Sequence, residues 1–216
     1  MTSVLPFTPA AFFDLFADYN RTLWPIVGAI WLAALALVWA AWRDPIRYNR
    51  ALTALLAALW AWNAIVYHGW LFTRINPAAW LFAGLFALEA GLLAAAAGQG
   101  LSFFAAGGRA PRAGLLLAAY AFAYPLLTVA SGHRYPAVPT FAVPCPTVIL
   151  TIGLFLTAPA VARRLEAVPV MWGAIGGSAA ILLDVPTDYV LLGAGLMLGA
   201  VSLRPYLRHT TRSPPE

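Results

Sequence analysis

Residues 132–147 read Gly132-His133-Arg134-Tyr135-Pro136-Ala137-Val138-Pro139-Thr140-Phe141-Ala142-Val143-Pro144-Cys145-Pro146-Thr147 and lie between two long apolar runs. The stretch holds four of the 17 prolines, the single cysteine and a histidine. A connector between membrane helices needs only a few flexible residues, so a rigid, aromatic, proline-punctuated one is built to hold a shape. It reads as the rim or lid of a site. The apolar runs on either side decide the fold class.

Of the 216 residues, 62% are hydrophobic and 10% charged, with a mean hydropathy of +0.78, which is outside the range of soluble domains. The composition predicts an all-α polytopic membrane bundle. Seven segments approach the roughly 20 apolar residues that a span needs: 24–42, 51–73, 78–98, 113–131, 146–162, 167–184 and 187–204. The last two are divided at Asp184-Val185-Pro186-Thr187-Asp188, where a proline and two acids predict a tight turn. Were that turn buried, the count would be six.

Upstream, Thr8-Pro9 is a capping threonine followed by a first-turn proline, and Phe12, Phe16, Tyr19 and Leu23 form a stripe at helical spacing. An interfacial amphipathic helix is expected there. The chain thus divides into that helix (1–23), a transmembrane domain (24–204) and a tail (205–216). The first long apolar run is of membrane length, with no cleavable-signal pattern before it, so the first span is expected to stay attached.

All 13 basic residues are arginine. They gather in alternate connectors, at Arg43, Arg47 and Arg50, then Arg109 and Arg112, then Arg163 and Arg164, and in the tail at Arg204, Arg208 and Arg212. Intervening connectors carry Arg74, Arg134 and none. The positive-inside rule then predicts a cytoplasmic C-terminus, an outward N-terminus and an odd number of spans in a bacterial inner membrane. Arginines scattered in ones to threes are topology signals, which argues against nucleic acid as a partner and leaves the lipid bilayer. Trp24, Trp42, Trp70, Trp80 and Trp172 are expected to anchor the interfaces, and the seams Ala83-Ala87-Gly91 and Gly173-Gly177 to allow close helix packing.

Topology gives each unusual polar residue a depth. Glu89 sits near the midplane, where a carboxylate must face the bundle. His68 is near the outer end of the second span; Tyr120 and Tyr124 share a face of the fourth; His133, Arg134, Tyr135, Cys145, Asp184 and Asp188 lie on the outer side. The candidate ligand-binding set is His68, Glu89, Tyr124, His133, Arg134, Tyr135 and Asp184. His68, His133 and Cys145 are the candidate metal ligands, Cys145 because a helix start favours a thiolate.

The segments Tyr67-His68-Gly69-Trp70-Leu71-Phe72, Ile75-Asn76-Pro77-Ala78-Ala79, Gly132 to Thr147 and Gly176-Gly177-Ser178-Ala179-Ala180 resemble a bacterial membrane-protein family catalogued only as a domain of unknown function. That resemblance implies architecture and no activity. The seven-helix topology is also similar to that of retinal proteins, which hold their chromophore through a lysine. With no lysine in the chain, a covalent retinal is excluded.

The phosphate-loop lysine motif, His-Glu-x-x-His, Gly-x-Ser-x-Gly and Cys-x-x-Cys are all missing, which weighs against an enzyme. The leading expectation is binding or transport of a small solute, ion or metal through an outward-facing polar pocket. A structural or assembly subunit and a haem or metal redox enzyme are the alternatives.

Overall fold

A computed structural model describes residues 5–99 and 101–210, without the side chains of 204–210. The tail arginines Arg204, Arg208 and Arg212 therefore lie outside the described side chains. Seven α-helices and no strand occur among the described residues. They are α1 (Pro9–Arg43), α2 (Pro45–Trp62), α3 (Ala79–Gln99), α4 (Pro111–Ala130), α5 (Pro144–Thr157), α6 (Arg163–Leu183) and α7 (Tyr189–Thr210). Helix α2 continues through a π-helical segment, Asn63–Leu71, and a 3-10 turn, Phe72–Arg74; a second 3-10 turn, Pro186–Asp188, precedes α7. Six helices are long and apolar enough to cross a membrane, and the seventh, α5, has only 14 residues.

Helix α5 is the hub. Every residue in it except Cys145 is buried, and it packs against α2, α4, α6 and α7. At 1.5 Å per residue it is about 21 Å long, short of the roughly 30 Å hydrocarbon core. Its end groups must therefore be satisfied by protein. At its C-terminus the segment 103–110 does this: Ala110 N–H donates to Leu156 O (2.9 Å), Arg109 N–H to Ala158 O (3.2 Å) and Arg109 Nη2 to Phe155 O (3.1 Å). At its N-terminus, Pro144 and Pro146 have no amide hydrogens, so there are fewer donors to satisfy.

The connector 131–143 covers that N-terminus. Val138, Phe141, Ala142 and Val143 are buried, and Phe141 stacks on Phe122 of α4 at 5.4 Å. The first half of α1 holds the connector in place. Asn20 Nδ2 donates to Pro136 O (2.7 Å) and Val138 O (2.8 Å), and its Oδ1 accepts from Thr140 (2.7 Å). Tyr19 donates to Ala142 O at 3.2 Å while accepting from Trp62 Nε1 at 2.9 Å.

The expected stripe on residues 8–23 is present, with Phe16, Tyr19 and Leu23 buried. It faces protein, and the helix runs unbroken past residue 23 to Arg43. Its 35 residues span about 52 Å, more than a bilayer core, so its first turns can stand beyond the core and reach the connector. The boundary drawn at 23/24 is therefore not a break in the helix. Proline 25 is accommodated inside it.

The two small-residue seams behave differently. Gly173 and Gly177 do form a seam, because a Cβ on Gly173 would lie 2.8 Å from Gly195 Cα and one on Gly177 2.6 Å from Leu192 Cβ. In the other, Ala87 and Gly91 face outward and a Cβ on Gly91 would meet nothing. The tightest crossing is α4 on α5, where a Cβ on Gly153 would come within 2.8 Å of Gly114 O and 2.9 Å of Ala118 N. Backbone atoms cannot yield as a flexible side chain can. Gly153→Ala should destabilise the fold by about 1–3 kcal/mol, the usual cost of overpacking, whereas Gly91→Ala should leave thermal stability unchanged or slightly raised. Melting temperatures of the two variants in the same detergent check this.

Candidate functional site

The connectors sort to two ends. One, the arginine end, carries Arg43, Arg47, Arg50, Arg109, Arg112, Arg163 and Arg164; the other, the loop end, carries the 131–143 connector. Contacts tie each end together: Arg50 donates to Gly98 O at the first, and Arg74 lies 3.9 Å from Asp18 at the second.

At the loop end lies a chamber of about 370 Å³. The start of the described chain, α1, the π-helical segment of α2, α3, the N-terminus of α5, α6 and the 186–188 turn all contribute to its wall. The wall is mainly aromatic and aliphatic, with Phe12, Phe16, Tyr67, Phe72, Phe82 and Trp172 supplying rings. Its polar members include His68, Asn76, Cys145 and Asp188. Ile175 and Leu182, both outward-facing residues of α6, also line it, so the chamber reaches the lipid-facing surface there.

His68 is fully buried and sits in the π-helical segment, surrounded by rings. The Phe86 centroid is 4.7 Å away, Tyr67 5.1 Å, Trp172 5.2 Å and Phe82 5.7 Å. Neither imidazole nitrogen has a hydrogen-bond partner. Each unpaired buried polar group costs about 1–3 kcal/mol. The segment is wound wide, and a Cβ on Gly69 would stand 3.0 Å from Ala64 O. Such π-turns recur at functional sites.

Across the chamber, Asp188 accepts a 2.5 Å hydrogen bond from Tyr124, and the Cys145 thiol lies against the same carboxyl group. Thr187 O accepts from Tyr120 at 2.8 Å, so α4 fixes the 186–188 turn through two tyrosines one helical turn apart. The Trp172 indole N–H lies near the Cys145 sulfur, but no contact there meets hydrogen-bond geometry, and it too is partnerless.

These positions redistribute the expected set. His68 and Cys145 share the chamber wall, and Tyr124 stands one hydrogen bond behind it. His133 stacks on Phe13 at 4.8 Å, with Nδ1 3.3 Å from Ser131 Oγ, away from the chamber wall. Arg134, Tyr135 and Asp184 are exposed at the loop end and do not line it. Glu89 is fully buried with both oxygens unpartnered and also does not line it. His68, His133 and Cys145 are not brought together, and no group of three His, Cys, Asp or Glu side chains among the described residues could hold a metal ion. The pocket expected to be polar is predominantly apolar.

Trp172 was expected at an interface, yet it is buried in the chamber wall. Helix α6 begins at Arg163, four residues before the expected span, which places Trp172 well inside the bundle. Asp188, an outer-side residue that stands outside the expected ligand-binding set, is likewise a wall residue. At the arginine end, Arg109 pairs with Glu166 at 2.5 Å, and Glu166 accepts from Ser202, closing α6, α7 and the 103–110 segment over that end.

Residues 9–213 match a family of unknown function, DUF6064. The chain belongs to this family. No curated protein and no solved structure matches it. Membership covers nearly the whole chain, so the bundle is the family's unit.

The connector clamp gives a measurable consequence. Asn20→Ala removes three hydrogen bonds, two of them to carbonyls of the connector, and should lower stability by about 1–3 kcal/mol. It should also admit protease to residues 132–140 under native conditions; unchanged melting and proteolysis would show that the connector is held by apolar packing alone.

Proposed function

We propose that this membrane protein binds a small hydrophobic molecule in the loop-end chamber, as the binding step of a carrier or receptor for such solutes. The observation that carries the reading is His68, a fully buried imidazole with two unpartnered nitrogens in the wall of an aromatic chamber. Soluble and membrane proteins alike keep buried polar groups paired. One left unpaired beside a cavity large enough for a drug-sized ligand is a group whose partner arrives from outside. The lipid-facing position of Ile175 and Leu182 supports entry from the bilayer, where such a molecule would be concentrated.

In the same proposal the arginine end faces the cytoplasm of a bacterial inner membrane and the loop end faces outward, as the positive-inside bias favours. The Arg109–Glu166 pair then closes the cytoplasmic side while the chamber communicates with the outer half of the membrane. A bundle closed at one end and hollow at the other is the arrangement a carrier adopts in one of its two states. Glu89, buried and unpartnered in the bundle, is available to a proton or a second ligand in the other state.

Two measurements test the binding reading. Indole should raise the melting temperature of the protein in nanodiscs, and Ala179→Trp, which fills the chamber from its α6 wall, should abolish that rise. His68→Leu should raise the melting temperature without ligand, because it removes unpaired polar groups worth about 1–3 kcal/mol, and should weaken the response to indole. A lower melting temperature for His68→Leu would sink the idea that the imidazole waits for a partner.

A further inference from the structure

The chamber's charge balance points to a narrower ligand class, and this step rests on the binding reading above. We propose that the chamber is built for a hydrophobic organic cation, an amine or quaternary ammonium compound, with Asp188 as its counter-charge and the aromatic rings as its walls.

Three buried acids lie within the described bundle: Glu89, Glu166 and Asp188. Glu166 has Arg109 as its partner. Asp188 has none, since its neighbours are the Tyr124 hydroxyl and the Cys145 thiol, both neutral donors. Among the described residues no arginine lines the chamber, and the chain has no lysine. A buried carboxylate without a cation is costly, and a cationic ligand removes that cost by supplying the missing charge.

The wall chemistry agrees independently. Phe7, Phe12, Phe16, Phe72, Phe82 and Trp172 surround the space, and the negative faces of such rings attract a desolvated cation. A metal ion would need oxygen, nitrogen or sulfur ligands converging on a point, and no such group occurs among the described residues. An organic cation needs one carboxylate and several rings, which is what the wall offers.

Charge at the two ends does not oppose this. Apart from Asp188 itself, the loop end sets Asp14, Asp18 and Asp184 against Arg21, Arg74 and Arg134 and balances, whereas the arginine end sets Arg43, Arg47, Arg50, Arg109, Arg112, Arg163 and Arg164 against Asp44 and Glu166. A cation entering at the loop end does not cross the positive field of the other.

The test compares phenyltrimethylammonium with its neutral isostere tert-butylbenzene, titrated against the full chain in nanodiscs and read by tryptophan fluorescence. The cation should bind at least tenfold more tightly than the isostere. Asp188→Asn should reduce the cation's affinity to that of the isostere, and Tyr124→Phe, which keeps the carboxylate and removes its donor, should bind the cation at least as tightly as wild type. Equal affinity of the two probes for wild type would overturn the cation proposal and leave the binding reading standing. Failure of both to bind would overturn the cation proposal, and with it the binding reading where indole too leaves the melting temperature unchanged. Should Asp188→Asn not fold, the wild-type comparison decides the matter alone; a preference for the cation that survives in a folded Asp188→Asn would also overturn it.

Discussion

Burial of α5 imposes the constraint from which the other elements follow. A helix of 14 residues, about 21 Å, is shorter than the hydrocarbon core, and a carbonyl or amide left unpaired within that core has no water to turn to. Each end is met by a non-helical chain segment that is buried in part: Phe103 in one, and Val138, Phe141, Ala142 and Val143 in the other. The 103–110 segment meets the C-terminal carbonyls, and Phe103 stacks against Phe155 beneath them. The 131–143 connector covers the proline-bearing N-terminus. Close approach of α4 at Gly114 and Gly153 and the long first helix are the further requirements of enclosing a short hub.

The chamber is a by-product of the same geometry. The space beside the first turn of α5 is bounded by α1, the widened segment of α2, α6 and the 186–188 turn. Aromatic side chains occupy its margins. Polar groups on this wall are few and are held from behind: Asp188 by Tyr124, and the turn that carries it by Tyr120. For the proposed binding role, such support from a neighbouring helix would hold the carboxyl group in place.

The sequence made the bundle legible because its signals are one-dimensional. Apolar runs of membrane length, arginines in alternate connectors and the prolines at 144 and 146 can be read without knowing what touches what. The structured connector was legible for the same reason, since prolines and aromatics advertise rigidity. The site was legible only in part. His68 and Cys145 could be singled out as rare residues near one end, but whether His133 joined them depended on the direction of one loop, and it turns toward Phe13. Trp172 was hidden by a four-residue error in a helix start, enough to exchange an interfacial position for a buried one. The apolar character of the chamber was hidden more thoroughly, because phenylalanines from α1, α2 and α3 converge on it and each reads alone as an ordinary membrane-facing or core residue.

The π-helical segment shows how the hub and the chamber depend on each other. Asn63 at its start donates to Thr147 of α5, while His68 within it faces the rings of the chamber side. At about 100° per residue, positions 63, 64, 67, 68 and 71 would fall within an arc of roughly 140°, so the buried face is one that an α-helix would also present. What the wide turns change is the hydrogen-bond register and the direction of the residues that follow, through the 3-10 turn at Phe72. The unpaired imidazole and the wide turn are thus two costs at one place, on the wall to which the binding proposal assigns a ligand.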